Sequence, residues 1–296
     1  MHAGHPLEFA RAPAVWSAYP KILLSRKPGL VPAGGVVPRI EARLASVAVD
    51  RRHLARYAEL CGAVAGGTLP IAYPHVIAMP LHLAMLGGDA FPVRLFGLVH
   101  VRNRIAMHRP LSVDAPAAIQ SWIEGYRDTD RGQEFDLETR YVVAGETLWD
   151  ETCTFLARRR GGGGEHKSTS PRTAERPTTP PGAATRSFDA PAGLGRRYAF
   201  VSGDLNPIHM SDLSARMFGF RRAIAHGMWS LARTAAELGD GNVAFPCALT
   251  VSFKLPIPLP SRLMLQRWPV DGGSEFALRD VQGEKPHLTG ALLALR

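Results

Sequence analysis

Cysteine is scarce in this 296-residue chain, and Cys61, Cys153 and Cys247 stand far apart. That spacing excludes a CxxC metal site and a dense disulfide framework, and it fits a reducing compartment. Also missing is any apolar run approaching the ~20 residues needed to cross a membrane. The first thirty residues contain His2, His5, Glu8, Arg11 and Lys21 and no signal-like apolar core. A soluble cytoplasmic protein is the expectation. Hydrophobic residues nevertheless make up 46% of the chain and charged residues 21%, an ordinary balance for a globular protein with a real core.

Acidic residues are outnumbered, 26 against 35 Lys and Arg, leaving a net charge of +9. Clustered basic residues would point to nucleic acid, because they release counterions from phosphate backbones. Here, however, residues 158 to 190 hold seven basic and three acidic side chains, and so carry +4 of the total. The remaining charge is dispersed, with no basic stripe interleaved with aromatics and no nucleic-acid motif. An anionic small ligand or an acidic carrier protein suits this pattern better.

Large apolar side chains are almost absent from RRRGGGGEHKSTSPRTAERPTTPPGAATRS, residues 158–187. Such a stretch buries too little surface to offset the ordering of its backbone, so a flexible linker is expected over 158–188. The two sides of it are alike. RYAELCG, with Tyr57 and Gly62, matches RYAFVSG, with Tyr198 and Gly203, at an offset of 141. IAYP, ending at Pro74, then matches IAHG, ending at Gly227, at an offset of 153, so the first copy lacks twelve residues between these anchors.

After the second anchor each copy runs into a helical apolar stretch, HVIAMPLHLAML in one and MWSLARTAAEL in the other. Pro80 is expected to interrupt the first of these and kink it. Four strand-like segments then follow in each copy, the last pair in the second joined across QGEKP. One apolar helix followed by sequential strands describes an α+β unit in which an antiparallel sheet wraps a helix. Each unit resembles a hotdog fold and the pair a double hotdog. The expected organisation is a leader over 1–40, a first unit over 41–157, the linker, and a second unit over 189–296.

The second unit concentrates polar residues in YAFVSGDLNPIH, where Asp204, Asn206 and His209 follow Gly203. Turn and capping roles would explain an acid and an amide there without any chemistry. Together with AIAHGM and LTVSFKLPI, however, the stretch closely resembles the motif set of the MaoC-like dehydratases, which include R-specific enoyl-CoA hydratases and 3-hydroxyacyl-thioester dehydratases. The resemblance spans both halves. It is closest to double-hotdog members, among them mycobacterial fatty-acid dehydratases, whose first copy has lost the catalytic loop.

That resemblance implies reversible addition of water to a 2-enoyl thioester, giving the R-3-hydroxyacyl thioester. It implies Asp204 and His209 as the acid–base pair, with Asn206 bracing the loop through its amide and Ser202 and His226 in support. It assigns the oxyanion hole to the Gly227 N–H, at the positive end of a helix. The first copy has Ala63 after Gly62 and Pro74, which has no N–H, opposite Gly227. It is therefore expected to be silent and to supply the acyl pocket. Arg221, Arg222 and Lys254 are candidates for coenzyme A phosphates or an acidic carrier protein.

Other readings carry less. Ser202, Asp204 and His209 suggest a hydrolase triad, but no GxSxG surrounds Ser202. Asp204, His209 and His226 lack an identifiable further metal ligand, and neither metal nor cofactor is expected beyond the thioester substrate. A hotdog thioesterase and a non-catalytic acyl-thioester binding protein are the rival functions. Nucleic acid and membrane are not expected partners, and both a monomeric pseudo-dimer and a homodimer fit the duplication.

Overall fold

The computed structural model describes residues 5–159, 179–239 and 244–295. Most of the expected linker, residues 160–178, lies outside them. Its downstream end does not continue as linker, because Ala184–Ala190 forms a strand.

The first half comprises β1 (Leu7–Phe9), α1 (Val15–Leu24), β2 (Ile40–Val47), α2 (Arg51–Cys61), α3 (Tyr73–Gly87), β3 (Leu98–Met107), β4 (Ala117–Ile123), β5 (Arg127–Thr129), β6 (Gly132–Val143) and β7 (Glu146–Arg158). The second comprises β8 (Ala184–Ala190), α4 (Leu194–Ser202), α5 (Pro207–Met210), α6 (Asp212–Arg216), α7 (Gly227–Leu238), β9 (Cys247–Phe253), β10 (Ser261–Val270), β11 (Gly273–Asp280) and β12 (Pro286–Ala294). The eight strand-like segments of the two copies are thus strands β3, β4, β6, β7 and β9 to β12, and the apolar stretches are α3 and α7.

Among the described residues the strands form a continuous sheet ordered β1-β2-β4-β6-β7-β3-β9-β12-β11-β10-β8, with β5 alongside β6. The order mirrors itself about the β3–β9 junction. There the two halves join by antiparallel pairing from Arg102 opposite Ser252 to Met107 opposite Cys247. Each half wraps its own helix: α3 buries most of its circumference, and α7 buries Met228, Trp229, Leu231 and Ala232. This is the two-unit α+β architecture that the duplication implies.

The repeated RYAxxxG motifs are a second point of symmetry. Asp50 caps α2 by accepting from the N–H groups of Arg52 and His53 at 2.8 and 3.2 Å. Both α2 and α4 end on a glycine in the left-handed region, Gly62 at φ 70° and Gly203 at φ 80°. The equivalent tyrosines Tyr57 and Tyr198 are buried and face each other with ring centroids 6.4 Å apart.

Two expectations change. Pro80 does not interrupt the apolar helix, which continues through it to Gly87. The segment read as a leader is built into the fold: β1 pairs in parallel with β2, and α1 places Tyr19 and Ile22 against Leu83 of α3. Neither element repeats in the second half, so the duplication could not announce them.

Candidate active site

Polar groups converge where α4 hands over to α5. The left-handed Gly203 turns the chain, and the Asp204 N–H then donates to the Ser202 hydroxyl at 3.2 Å. Asp204 Oδ1 accepts from the Asn206 N–H at 3.1 Å, and Asn206 Oδ1 accepts from the Ile208 N–H at 3.4 Å to cap α5. Asn206 therefore touches Asp204 through its backbone N–H and the start of α5 through its side-chain oxygen. Pro207 at the first position of α5 has no N–H to leave unpaired.

His209 projects from α5 and is 7% exposed. Its Nδ1 lies 2.7 Å from the Ile224 carbonyl, which can only accept, so Nδ1 carries the proton and Nε2 keeps its lone pair. His226 stacks on it with centroids 3.7 Å apart and planes 26° apart. His226 Nε2 donates to the Asp204 backbone carbonyl at 2.9 Å and sits 4.0 Å from Asp204 Oδ2. Sequence reasoning had left His226 a supporting role. It holds both members of the pair at once, one by stacking and one by a hydrogen bond.

Asp204, His209 and His226 each present a ligand-type atom within 4.8 Å of the other two. A single water can therefore touch both the Asp204 carboxylate and the His209 imidazole. Burial would raise the Asp204 pKa, but His226, His209 and the Asn206 N–H outweigh it and hold the carboxyl below its ordinary value. Burial lowers the His209 pKa against the opposing pull of Asp204 and the Ile224 carbonyl. Burial, then repulsion from His209, pushes His226 down to about 3. At neutral pH the cluster holds one carboxylate beside two stacked, neutral imidazoles.

Gly227 follows His226 as the first residue of α7, where an N–H has no acceptor within the helix. A side chain there would meet the Phe253 ring at 3.2 Å, so glycine lets that ring pack closely against the helix start. The matching position in the first half is Pro74, in the first turn of α3. Arg221 and Arg222 are exposed on the segment that returns to Ile224, and Lys254 is exposed beyond β9. Those two segments are neighbours, tied by the Ala225 N–H to the Ile257 carbonyl at 2.9 Å.

Beside Ser202 and Gly203 opens a cavity of about 260 Å³, lined in the first half by Val15, Trp16, Val76, Ile77 and Pro80. The first half also hides a polar cluster of its own. Glu151 on β7 accepts from His75 at 2.8 Å and from the Asn103 amide at 2.7 Å, with Cys153 adjoining. His75, Glu151 and Cys153 also bring ligand-type atoms within 4.8 Å of one another. His82 bonds Thr139 at 2.8 Å nearby. These histidines look scattered in sequence, and only the pairing of β3, β7 and β6 gathers their partners.

Tyr19 of α1 was missed altogether. Its hydroxyl accepts from the Leu205 N–H at 2.7 Å and donates to the Gly203 carbonyl at 2.8 Å. No motif surrounds it that could have drawn attention.

The chain is similar to several known proteins. A model of the MaoC like domain matches residues 168–291. The chain is 33% identical over 269 residues to the 3-hydroxyacyl-thioester dehydratase X of Mycobacterium tuberculosis, spanning 90% of this chain and 93% of that one. A crystal structure of HtdX from Mycobacterium tuberculosis superposes with a TM-score of 0.74 at 28% identity, covering 86% of this chain and 100% of that one. Another protein of that organism, described as a double hotdog, superposes with a TM-score of 0.53 at 12% identity over 93% of this chain and 97% of its own, a likeness of fold alone.

Proposed function

The chain belongs to the family of MaoC-like dehydratases, and from that premise we propose that it adds water reversibly to 2-enoyl thioesters, giving R-3-hydroxyacyl thioesters. The observation that carries this reading is the approach of Asp204 and His209 within 4.8 Å, close enough to share one water. In the hydration direction the water oxygen attacks C3 while the pair takes one of its protons. The electrons of the double bond shift toward the thioester oxygen, which accepts a hydrogen bond from the Gly227 N–H. A proton delivered to C2 completes the addition. Hydroxyl and proton then come from one water and reach one face of the double bond. Dehydration reverses each step.

A neutral His209 with its lone pair on Nε2 and an ionised Asp204 can each take a proton near neutral pH, and general acid–base catalysis is typically worth ~10²–10⁴-fold. The cavity lined by Val76, Ile77 and Pro80 supports an acyl pocket furnished by the silent first half. Arg221, Arg222 and Lys254 are exposed near the end of the chain segments that frame the site, and we assign them to the anionic carrier of the acyl group.

The test is incubation with crotonyl and longer 2-enoyl thioesters, following loss of the conjugated double bond, thiol release and product chirality together. Hydration to the R product without thiol release is expected. Asp204→Asn and His209→Ala should each lose at least ~10²-fold in kcat with the fold intact. Thiol release without hydration, or full rate in both variants, overturns the reading.

A further inference from the structure

The catalytic loop has no regular backbone pairing, so its peptide groups must be accounted for one at a time. The Gly203 N–H bonds the Ala199 carbonyl, the Asp204 N–H bonds Ser202, and the Asp204 carbonyl is held by His226. The Asn206 N–H bonds Asp204 Oδ1, and the Asn206 carbonyl accepts from the His209 N–H. The Gly203 carbonyl and the Leu205 N–H are both satisfied by Tyr19. Of all these partners, Tyr19 alone comes from outside the second half of the chain.

A phenol has one proton and two lone pairs, so its hydroxyl can donate to one peptide and accept from another at once. Here those peptides stand on either side of Asp204. The loop's internal bonds fix its shape but not its position against the first half. That position is set by α1, where Tyr19 is 9% exposed and packs with Ile22 and Leu83 on α3, and where Leu205 joins the same cluster. Gly203 is pressed against this surface as well, since a side chain added there would meet Val15 at 3.1 Å and Met79 at 3.4 Å.

We propose that Tyr19 is a positioning residue of the active site, clamping the backbone on both sides of Asp204 so that the carboxylate stays within one water of His209. The inference rests on the hydratase reading above. It makes α1, which lies outside the matched residues 168–291, a working part of the catalytic loop. Tyr19 does not touch substrate. It acts by denying the loop the ~1 Å of freedom that costs an oriented reaction ~10²-fold in rate.

Tyr19→Phe keeps the ring and removes only the hydroxyl. Its kcat should fall about 10- to 100-fold while KM stays within about threefold, because the loop's orientation changes and the acyl and carrier contacts do not. Exchange protection of the Leu205 amide should fall in parallel. Ile123→Val is the control, since Ile123 on β4 is buried in the main core, in a cluster that includes neither Tyr19 nor Leu205; it should lower Tm and leave kcat unchanged. Asp204→Asn, assayed alongside, separates the two layers of the argument. An inactive Asp204→Asn with a Tyr19→Phe kcat within about twofold of wild type overturns the clamp alone. Full rate in Asp204→Asn overturns the dyad and the clamp with it. A kcat loss in Ile123→Val equal to that of Tyr19→Phe at the same Tm also overturns the clamp, because a general loss of packing would then explain both.

Discussion

Replacing Gly195 by alanine should cripple turnover more than it harms the fold. Gly195 is the second residue of α4, and a Cβ built on it would lie 2.0 Å from the His209 carbonyl oxygen and 3.4 Å from Leu259 Cδ1. Carbon–oxygen contacts normally stay beyond about 3.3 Å, so the two backbones must separate by more than about 1 Å. Helix α4 has little room to retreat, because Leu194, Tyr198 and Ala199 are all buried on it. The yielding element is α5, a single turn that carries His209. Moving it disturbs the 2.7 Å bond from His209 to the Ile224 carbonyl and the 3.7 Å stack on His226. A displacement of ~1 Å costs on the order of 10²-fold in rate, whereas overpacking of this kind costs about 1–3 kcal/mol of stability. At roughly 2–4 °C per kcal/mol for a protein of this size, Tm should fall by up to about 12 °C. Steady-state hydration of a 2-enoyl thioester and thermal melting give the two readings. Gly193→Ala is the matched control, since nothing lies within 4 Å of its added carbon. A Gly195→Ala enzyme with kcat within about threefold of wild type and an unchanged Tm would refute the reasoning.

Buried neutral imidazoles should make the protein acid-sensitive in a defined window. Burial holds His82 and His226 down to about 3, so below the ordinary histidine value of 6.5 the unfolded chain binds protons that the folded one refuses. Their stabilisation is whole above 6.5, and about 2 kcal/mol per imidazole is lost by pH 5, before ordinary carboxylates titrate. Melting curves from pH 7 to 5 should show a falling Tm, and a flat profile contradicts this. The acid limb of kcat/KM should lie below 6.5, because burial lowers the His209 pKa; a limb at or above 6.5 would contradict the assignment. Glu151→Ala should lower Tm substantially, since it takes the carboxylate from His75 and Asn103 at a cost of about 1–3 kcal/mol for each group left unmatched. A Tm within 2 °C or so of wild type would show that other partners replace it.

The elements that the sequence revealed are those whose signals are local. Alternating strands and the apolar helices α3 and α7 are written within a few residues of themselves, and the duplication doubled each signal. The loss of a carboxylate and an N–H from the first copy was equally legible, because Ala63 and Pro74 lack them by covalent identity alone. Local patterns also misled. Pro80 reads as a break, but α3 is enclosed by its sheet, and packing of its buried face overrides the loss of one hydrogen bond. The start of β8 reads as linker because an edge strand of ATRSFDA has little apolar content, and only its pairing with β10 makes it a strand.

By itself the sequence determined which chemistry is available: an acid, an imidazole and a helix-start N–H, present in one copy and deleted from the other. The tertiary structure decided how those groups are held. His226 is stacked on His209 and bonded to the Asp204 backbone, Gly195 is pressed against the His209 carbonyl, and Tyr19 reaches across 184 residues of chain to Gly203. Contacts at such separation leave no periodicity and no spacing to read. They exist only once β3 pairs with β9 and α1 packs on α3, and so bring the two halves together around one loop.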